Sequence, residues 1–316
     1  MKLEELQQKI IGEIDSSIQS FNDGVPSLEK AMYERILSSL RGLDIKDGVI
    51  QNNAKNLRII SELDRSLEGA ILNPEYLKQV KGFIQSFSTV GQYQSQYFNM
   101  IQNGWKPNEA LANLKNIAVD TTLESLTETG IKGNVVNKIR DLLTTNITSG
   151  GKYSDLIAQV SEFVVSSKDN PGVLQRHVGQ VTIDSLHTYA RTYDKMVSDD
   201  LGLEWFMYTG SLIETSRCFC QAMVKKKYFH KSEVSKILSG DFQEYADLDC
   251  SGSSSTGLPA GMIDGTNESN FFVRAGGYRC GHKIAPVISS IVPAEIRRRF
   301  EKPKLIDKSH VQEKPL

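Results

Sequence analysis

Cys218 and Cys220 in the stretch TSRCFCQAMVKKKYF, and Cys280 and His282 in GGYRCGHKIAP, are the residues whose types and spacing could do chemistry. Each pair has one residue between its members, and sixty positions separate Cys220 from Cys280. Thiolate and imidazole are zinc donors, and two donor pairs on distant segments are how a zinc ion clips a small module. Such a structural zinc would be the one cofactor the chain could carry. The spacing is short for it, because structural sites usually leave two or more residues between paired cysteines. On a helix, residues two apart point about 200° from each other, so only one of Cys218 and Cys220 would easily face a shared site.

Three other readings stand beside zinc. The favoured one is packing of small apolar thiols with His282 hydrogen-bonded. A Cys220–Cys280 disulfide is the second, though a reducing compartment opposes it. The third is a nucleophilic Cys220 with His230 or His282 as base. It lacks a recognisable third member and an oxyanion hole. Cys250 lies in a polar loop and is expected to be free. The sequence has no Walker loop, Gly-rich dinucleotide turn, H-E-x-x-H or G-x-S-x-G motif. No catalytic residue is therefore assigned, and the chain reads as a non-enzyme.

Two basic clusters are candidate nucleic-acid contacts: Lys225, Lys226 and Lys227, and Arg297, Arg298 and Arg299, the latter followed by Lys302 and Lys304. A solvated face is the plainer reading of both. Phosphate contact would show as salt-dependent binding without sequence preference. His177 and His187 read as solvated or satisfied core groups on a long helix. Tyr93, Tyr97 and Phe98 read as packing rather than as base-stacking platforms.

The elements that must position these residues are mostly helical. The 316 residues suffice for two ordinary domains. A formal net charge of -1 gives no global attraction to nucleic acid or anionic membrane. No apolar run approaches the roughly 20 residues of a membrane span. The first residues do not read as a signal peptide, and four cysteines are too few for a disulfide scaffold. Leu3, Leu6, Ile10, Ile14 and Ile18 form one helical stripe. Pro26, Asn73-Pro74 and Asn108 mark further helix starts. Two helices joined at Ser149-Gly150-Gly151 follow, then a long one over VLQRHVGQVTIDSLHTYARTYDKMVSDDL.

After Gly202 the texture changes. LEWFMYTG reads as a strand, SRCFCQAMVKKK as a helix capped by Thr215 or Ser216, and His230 or Ser232 as leading a helical turn. SGSSSTGLPAGMIDGTN reads as a surface loop. A returning strand is ended, or placed at an edge, by Pro286. PAEIRRRF reads as a short helix before an arm-like tail. The expected fold class is mainly α: an elongated helical N-terminal region followed by a small α+β C-terminal module. The expected divisions are 1–130, a helical region; 131–202, the long-helix region; 203–291, the module; and 292–316, a basic helix and flexible tail.

Four elements in this order resemble the C-terminal module of the phage Mu F-like minor head family. Ala190, Arg191 and Thr192 match its Ala-Arg-Thr helix signature. Ser216, Arg217 and Cys220 partly match its Thr-Arg-x-x-Cys element, with Lys227 and Tyr228 following. Gly276, Gly277, Tyr278, Cys280, His282 and Pro286 match its closing Gly-Gly-Tyr-x-Cys-Arg-His-x-x-x-Pro element. The upstream KIRDLLTTNITSGGKYSDLIAQV resembles the helix–Gly–helix pair that precedes it. The resemblance spans about residues 130–290. Gly281 stands where family members usually have Arg, and Lys226 where they have Gly. By the same pattern Cys218 is an extra cysteine, which favours Cys220 pairing with Cys280 or His282. The resemblance implies a virion protein assembled in the host cytoplasm. It would associate with the portal and other head proteins and serve DNA packaging or ejection, with possible DNA contact through the basic clusters and no membrane. The alternative is a Cys-dependent hydrolase or toxin-like effector carried by a phage.

Overall fold

A computed structural model describes residues 3–248, 250 and 256–300. The chain is mainly α, with a small α+β module at its C-terminal end. Its elements run α1 (Leu3–Asn22), α2 (Val25–Leu40), β1 (Ile45–Lys46), β2 (Val49–Ile50), α3 (Ala54–Ile71), α4 (Pro74–Ile101) and α5 (Glu109–Leu126). A short α6 (Glu128–Ile131) passes through a π-helical turn at Lys132–Val136 into α7 (Asn137–Thr148), followed by α8 (Tyr153–Val164) and α9 (Val173–Asp200). The module holds β3 (Trp205–Thr209), α10 (Cys218–Lys226), β4 (Tyr228–His230), α11 (Val234–Ser239), α12 (Gln243–Ala246), α13 (Phe271–Arg274), β5 (Lys283–Val287) and α14 (Ala294–Arg297).

Local chemistry sets the helix starts. Asn73 Oδ1 accepts from the amides of Glu75 and Tyr76, with Pro74 at the first helical position, where its missing N–H costs nothing. Asn53 and Asn108 cap α3 and α5 in the same way. Helix α9 begins at Gly172, which has no side chain to cap with. The buried Glu29 of α2 caps it instead, accepting from the amides of Gln175 and Ser166 at 2.9 Å each. Leu6, Ile10, Ile14 and Ile18 are buried together, so the expected stripe of α1 does face the core. At about 25 cal/mol per Å2, such stripes supply most of the drive to dock these helices. Tyr97 and Phe98 are core residues, packed edge to face. Tyr93 is half-buried beneath Lys9 Nζ.

The module is built on a three-stranded antiparallel sheet in the order β4-β3-β5. Trp205 pairs with both His230 and Val287, and Thr209 with Lys283. All of β3 is buried, because the sheet is covered on both faces. Phe206 and Tyr208 point into a core with Phe219, Phe229, Phe271 and Ile284. Trp205 and Met207 point the other way, against Tyr228, Val287 and Val292. Pro286 sits on an edge strand, where its missing N–H removes no ladder bond.

Several local expectations are corrected. The hairpin of β1 and β2, strand β4 and the π-helical turn have no counterpart in the sequence reading. The cap of α10 is Arg217, with extended backbone. Ser216 Oγ instead accepts from the amide of Ile213 within the preceding turn. His230 does lead a turn, its Nδ1 accepting from Ser232 N while Glu233 closes back on its own amide. The C-terminal tail, with Lys302 and Lys304, lies outside the described residues.

Module and helices are joined by buried polar contacts. Lys283 Nζ of β5 lies 2.9 Å from Asp194 Oδ2 of α9 and donates to Gln7 Oε1 of α1 at 3.0 Å. Gln94 of α4 donates to Asp194 Oδ1, and Tyr97 OH donates to the carbonyl of Pro286 at 2.6 Å. Residues 1–130 therefore touch the module directly.

Candidate functional site

The sixty-residue gap between Cys220 and Cys280 is closed in space. Donor atoms of Cys220, Cys280 and His282 lie within 4.8 Å of one another, and all three side chains are buried. Among the described residues they could hold a metal ion. Helix α10 delivers Cys220: its first turn points Phe219 and Cys220 inward and Cys218 out. Cys218 is bonded to Cys250 in a disulfide, with their Cα atoms 5.8 Å apart. Two expectations fall with that bond. Cys250 is not free, and Cys218 is not a fourth donor. Positions two apart on a helix face different ways, and the outward sulfur found the loop. Cys220 and Cys280 are both free thiols, so they form no disulfide with each other.

Two arginines tie the segments together. Arg191 of α9, 4% exposed, donates through Nη1 to the carbonyl of Val273 at 2.9 Å and through Nη2 to that of Cys280. Arg217 Nη1 donates to the carbonyl of Gly276 at 2.8 Å and Nη2 to that of Tyr278. Each rigid guanidinium fork spans two carbonyls between Val273 and Cys280, with its donors fixed in one plane.

The turn itself needs its glycines. A Cβ on Gly276 would meet Cys220 Sγ at 2.6 Å and Cys280 Sγ at 3.0 Å. Gly277 has φ +102°, and a Cβ there would sit 2.0 Å from the carbonyl oxygen of Gly261. Tyr278, between them and Cys280, is 58% exposed and packs little.

Tyr208 OH reaches both sulfurs, at 3.5 Å from Cys220 and 3.7 Å from Cys280, and its ring stacks on His282 with centroids 5.2 Å apart. Hydrogen bonding from Cys220, aided by His282 and the nearby Arg191 charge, holds the Cys280 thiol well below its usual range. The same bond and burial push the Cys220 thiol up. Burial raises Tyr208 well above the ordinary phenol value.

A cleft of about 690 Å3 opens beside the cluster. Cys220, Cys280 and His282 line it together with His187, Asp15 and Arg279. His187 is not the solvated or satisfied group expected from sequence. It is 2% exposed, its Nδ1 has no hydrogen-bond partner among the described residues, and burial lowers its pKa to about 3. His177 is satisfied, its Nε2 lying 2.8 Å from the carbonyl of Ser125. Burial raises the carboxyl of Asp15.

The remaining candidates separate. His230 bonds Ser232, lies 3.6 Å from Glu204 and stacks on Phe300. His282 Nδ1 is 3.8 Å from Cys280 Sγ, so the histidine pairs with Cys280 rather than Cys220. Each lysine of the 225–227 run stands beside an acidic side chain. Lys225 pairs with Asp247 at 2.9 Å, Lys226 with Glu233 at 2.9 Å and Lys227 with Glu4 at 3.5 Å. Arg298 and Arg299 are exposed, whereas Arg297 is half-buried.

Sequence reasoning missed Tyr208, His187 and Asp15. A signal existed for one of them: His187 precedes Arg191 by four residues and so shares its helix face. Among the described residues no helix is long and apolar enough to cross a membrane. A scan against protein-family models finds no match, and searches of the curated proteins and of the solved structures find none.

Proposed function

We propose that this chain is a phage minor head protein of the Mu F-like kind, bound to the portal and procapsid and acting by contact rather than catalysis. One observation carries the reading. The residues through which the chain resembles that family come from three separate segments, and Arg191, Arg217, Cys220, Gly276, Gly277, Cys280 and His282 surround one centre. Residues scattered at random over those segments would not hold one another. A shared motif whose members brace one turn is the pattern of a folding signature.

In this reading the module is a rigid platform, and the helices offer the contact surface. Ile117 and Leu123 of α5 and Leu77 of α4 are exposed apolar groups suited to a protein neighbour. Packaged DNA would meet Arg298 and Arg299 rather than the lysine cluster, whose charges are already paired. The test is co-expression with the portal subunit of the same genome. Co-purification supports the reading; a folded chain that never associates refutes it.

The cleft beside Cys280 favours a second reading, a Cys-dependent hydrolase or toxin-like effector. Cys280→Ser separates the two. Loss of a turnover in a variant that stays folded favours the enzyme, and loss of folding favours the brace.

A further inference from the structure

We propose that Cys220, Cys280 and His282 bind one zinc-type divalent cation through two sulfurs and an imidazole nitrogen, with a fourth position open to the cleft. This is independent of the head-protein reading. A tetrahedral ion with Zn–S near 2.3 Å and Zn–N near 2.0–2.1 Å requires donor–donor edges of about 3.6–3.8 Å. His282 Nδ1 lies 3.8 Å from Cys280 Sγ, and all three donors fall within 4.8 Å. Little movement is needed to place an ion among them.

The surroundings fit. His282 is 5% exposed, and its Nδ1 meets a sulfur. Gly276 leaves open the space against both sulfurs that a side chain would fill. Tyr208 OH approaches the two sulfurs, and Arg191 holds the Cys280 carbonyl, as outer partners that orient metal ligands do. Two thiolates and an imidazole select zinc-like ions over magnesium or calcium. The disulfide removes Cys218 as a fourth donor. The same three side chains line the 690 Å3 cleft, so the fourth ligand comes from that side. Three protein donors with one open place is the pattern of zinc sites that exchange a ligand, unlike the closed four-donor structural kind.

The experiment uses the full chain, purified without chelator. Elemental analysis and a thiol titration in denaturant are expected to give one zinc and two free thiols per chain. Cobalt put in place of zinc is expected to give thiolate charge-transfer bands in the near ultraviolet and tetrahedral bands in the visible. Those bands should persist when Cys218 and Cys250 are both changed to Ser. They should vanish in Cys280→Ser and His282→Ala, and added imidazole should move the visible bands. A folded wild-type chain with two free thiols that takes up neither zinc nor cobalt overturns the proposal, as does a chain with no free thiols. Visible bands that imidazole leaves unmoved overturn the open position. Metal uptake by the wild-type chain decides the matter even where a variant fails to fold.

Discussion

Replacing Lys283 by Met should unfasten the module from the helices. Lys283 and Asp194 are each 1% exposed, and Nζ lies 2.9 Å from Oδ2. Lys283 also donates to Gln7, while Gln94 donates to the other Asp194 oxygen. Burial pushes the carboxyl of Asp194 up and the amine of Lys283 down, so each charge depends on the other for its keeping. The contact at Oδ2 is a buried ion pair. Its attraction is strong only because water is excluded.

Removing one partner of such a pair leaves a buried uncompensated charge, which costs about 3–5 kcal/mol. Lys283→Met and Asp194→Leu should each lose that much. The double variant should lose far less than the two losses added together, giving a coupling energy of several kcal/mol. Urea unfolding provides the assay. The two tryptophans report separately, Trp105 from against the helical core and Trp205 from within the module. Trp105→Phe and Trp205→Phe backgrounds resolve which part loosens first. A cost under about 1 kcal/mol for Lys283→Met, or a double variant that loses as much as the singles combined, would refute this coupling.

Gly276→Ala should destabilise the chain by about 1–3 kcal/mol, because its Cβ collides with two buried sulfurs; thermal unfolding against wild type checks this. Stability should also fall in acid through His187. Its folded pKa of about 3 lies below the ordinary histidine value near 6.5, so its contribution is whole above pH 6.5 and fades as pH drops towards 3. Between pH 6.5 and 4.5 the loss is about 2–3 kcal/mol, and His187→Leu should flatten the curve by up to one proton. Reducing the Cys218–Cys250 bond should cost about 3–4 kcal/mol, given its sequence separation of 32. A non-reducing peptide map that fails to join those two cysteines would contradict the pairing.

The helices were legible because their signals are local. The stripe from Leu6 to Ile18 and the asparagine caps at 73 and 108 depend on neighbours three or four residues away. The same reasoning allowed only one of Cys218 and Cys220 to face a shared site, and Cys220 is the one that does. What was not legible rests on partners far along the chain. Nothing around Lys283 announces Asp194 or Gln7, 276 positions away. The demand on Gly276 arises only once two remote sulfurs approach it. Cys250 has no local sign of a partner, because Cys218 reaches it from 32 positions away. The lysine run resembles a patch in sequence because its acidic partners come from α1, α12 and the turns around them.

Whether this chain belongs to the particle is tested most directly by protein composition. DNA-filled particles from the genome that encodes it should be purified through a density gradient and their proteins quantified by mass spectrometry. The chain is expected in those particles, in few copies beside the major capsid subunit and in step with the portal. Full particles without it, while the folded chain collects in the surrounding lysate, would contradict a role in the head.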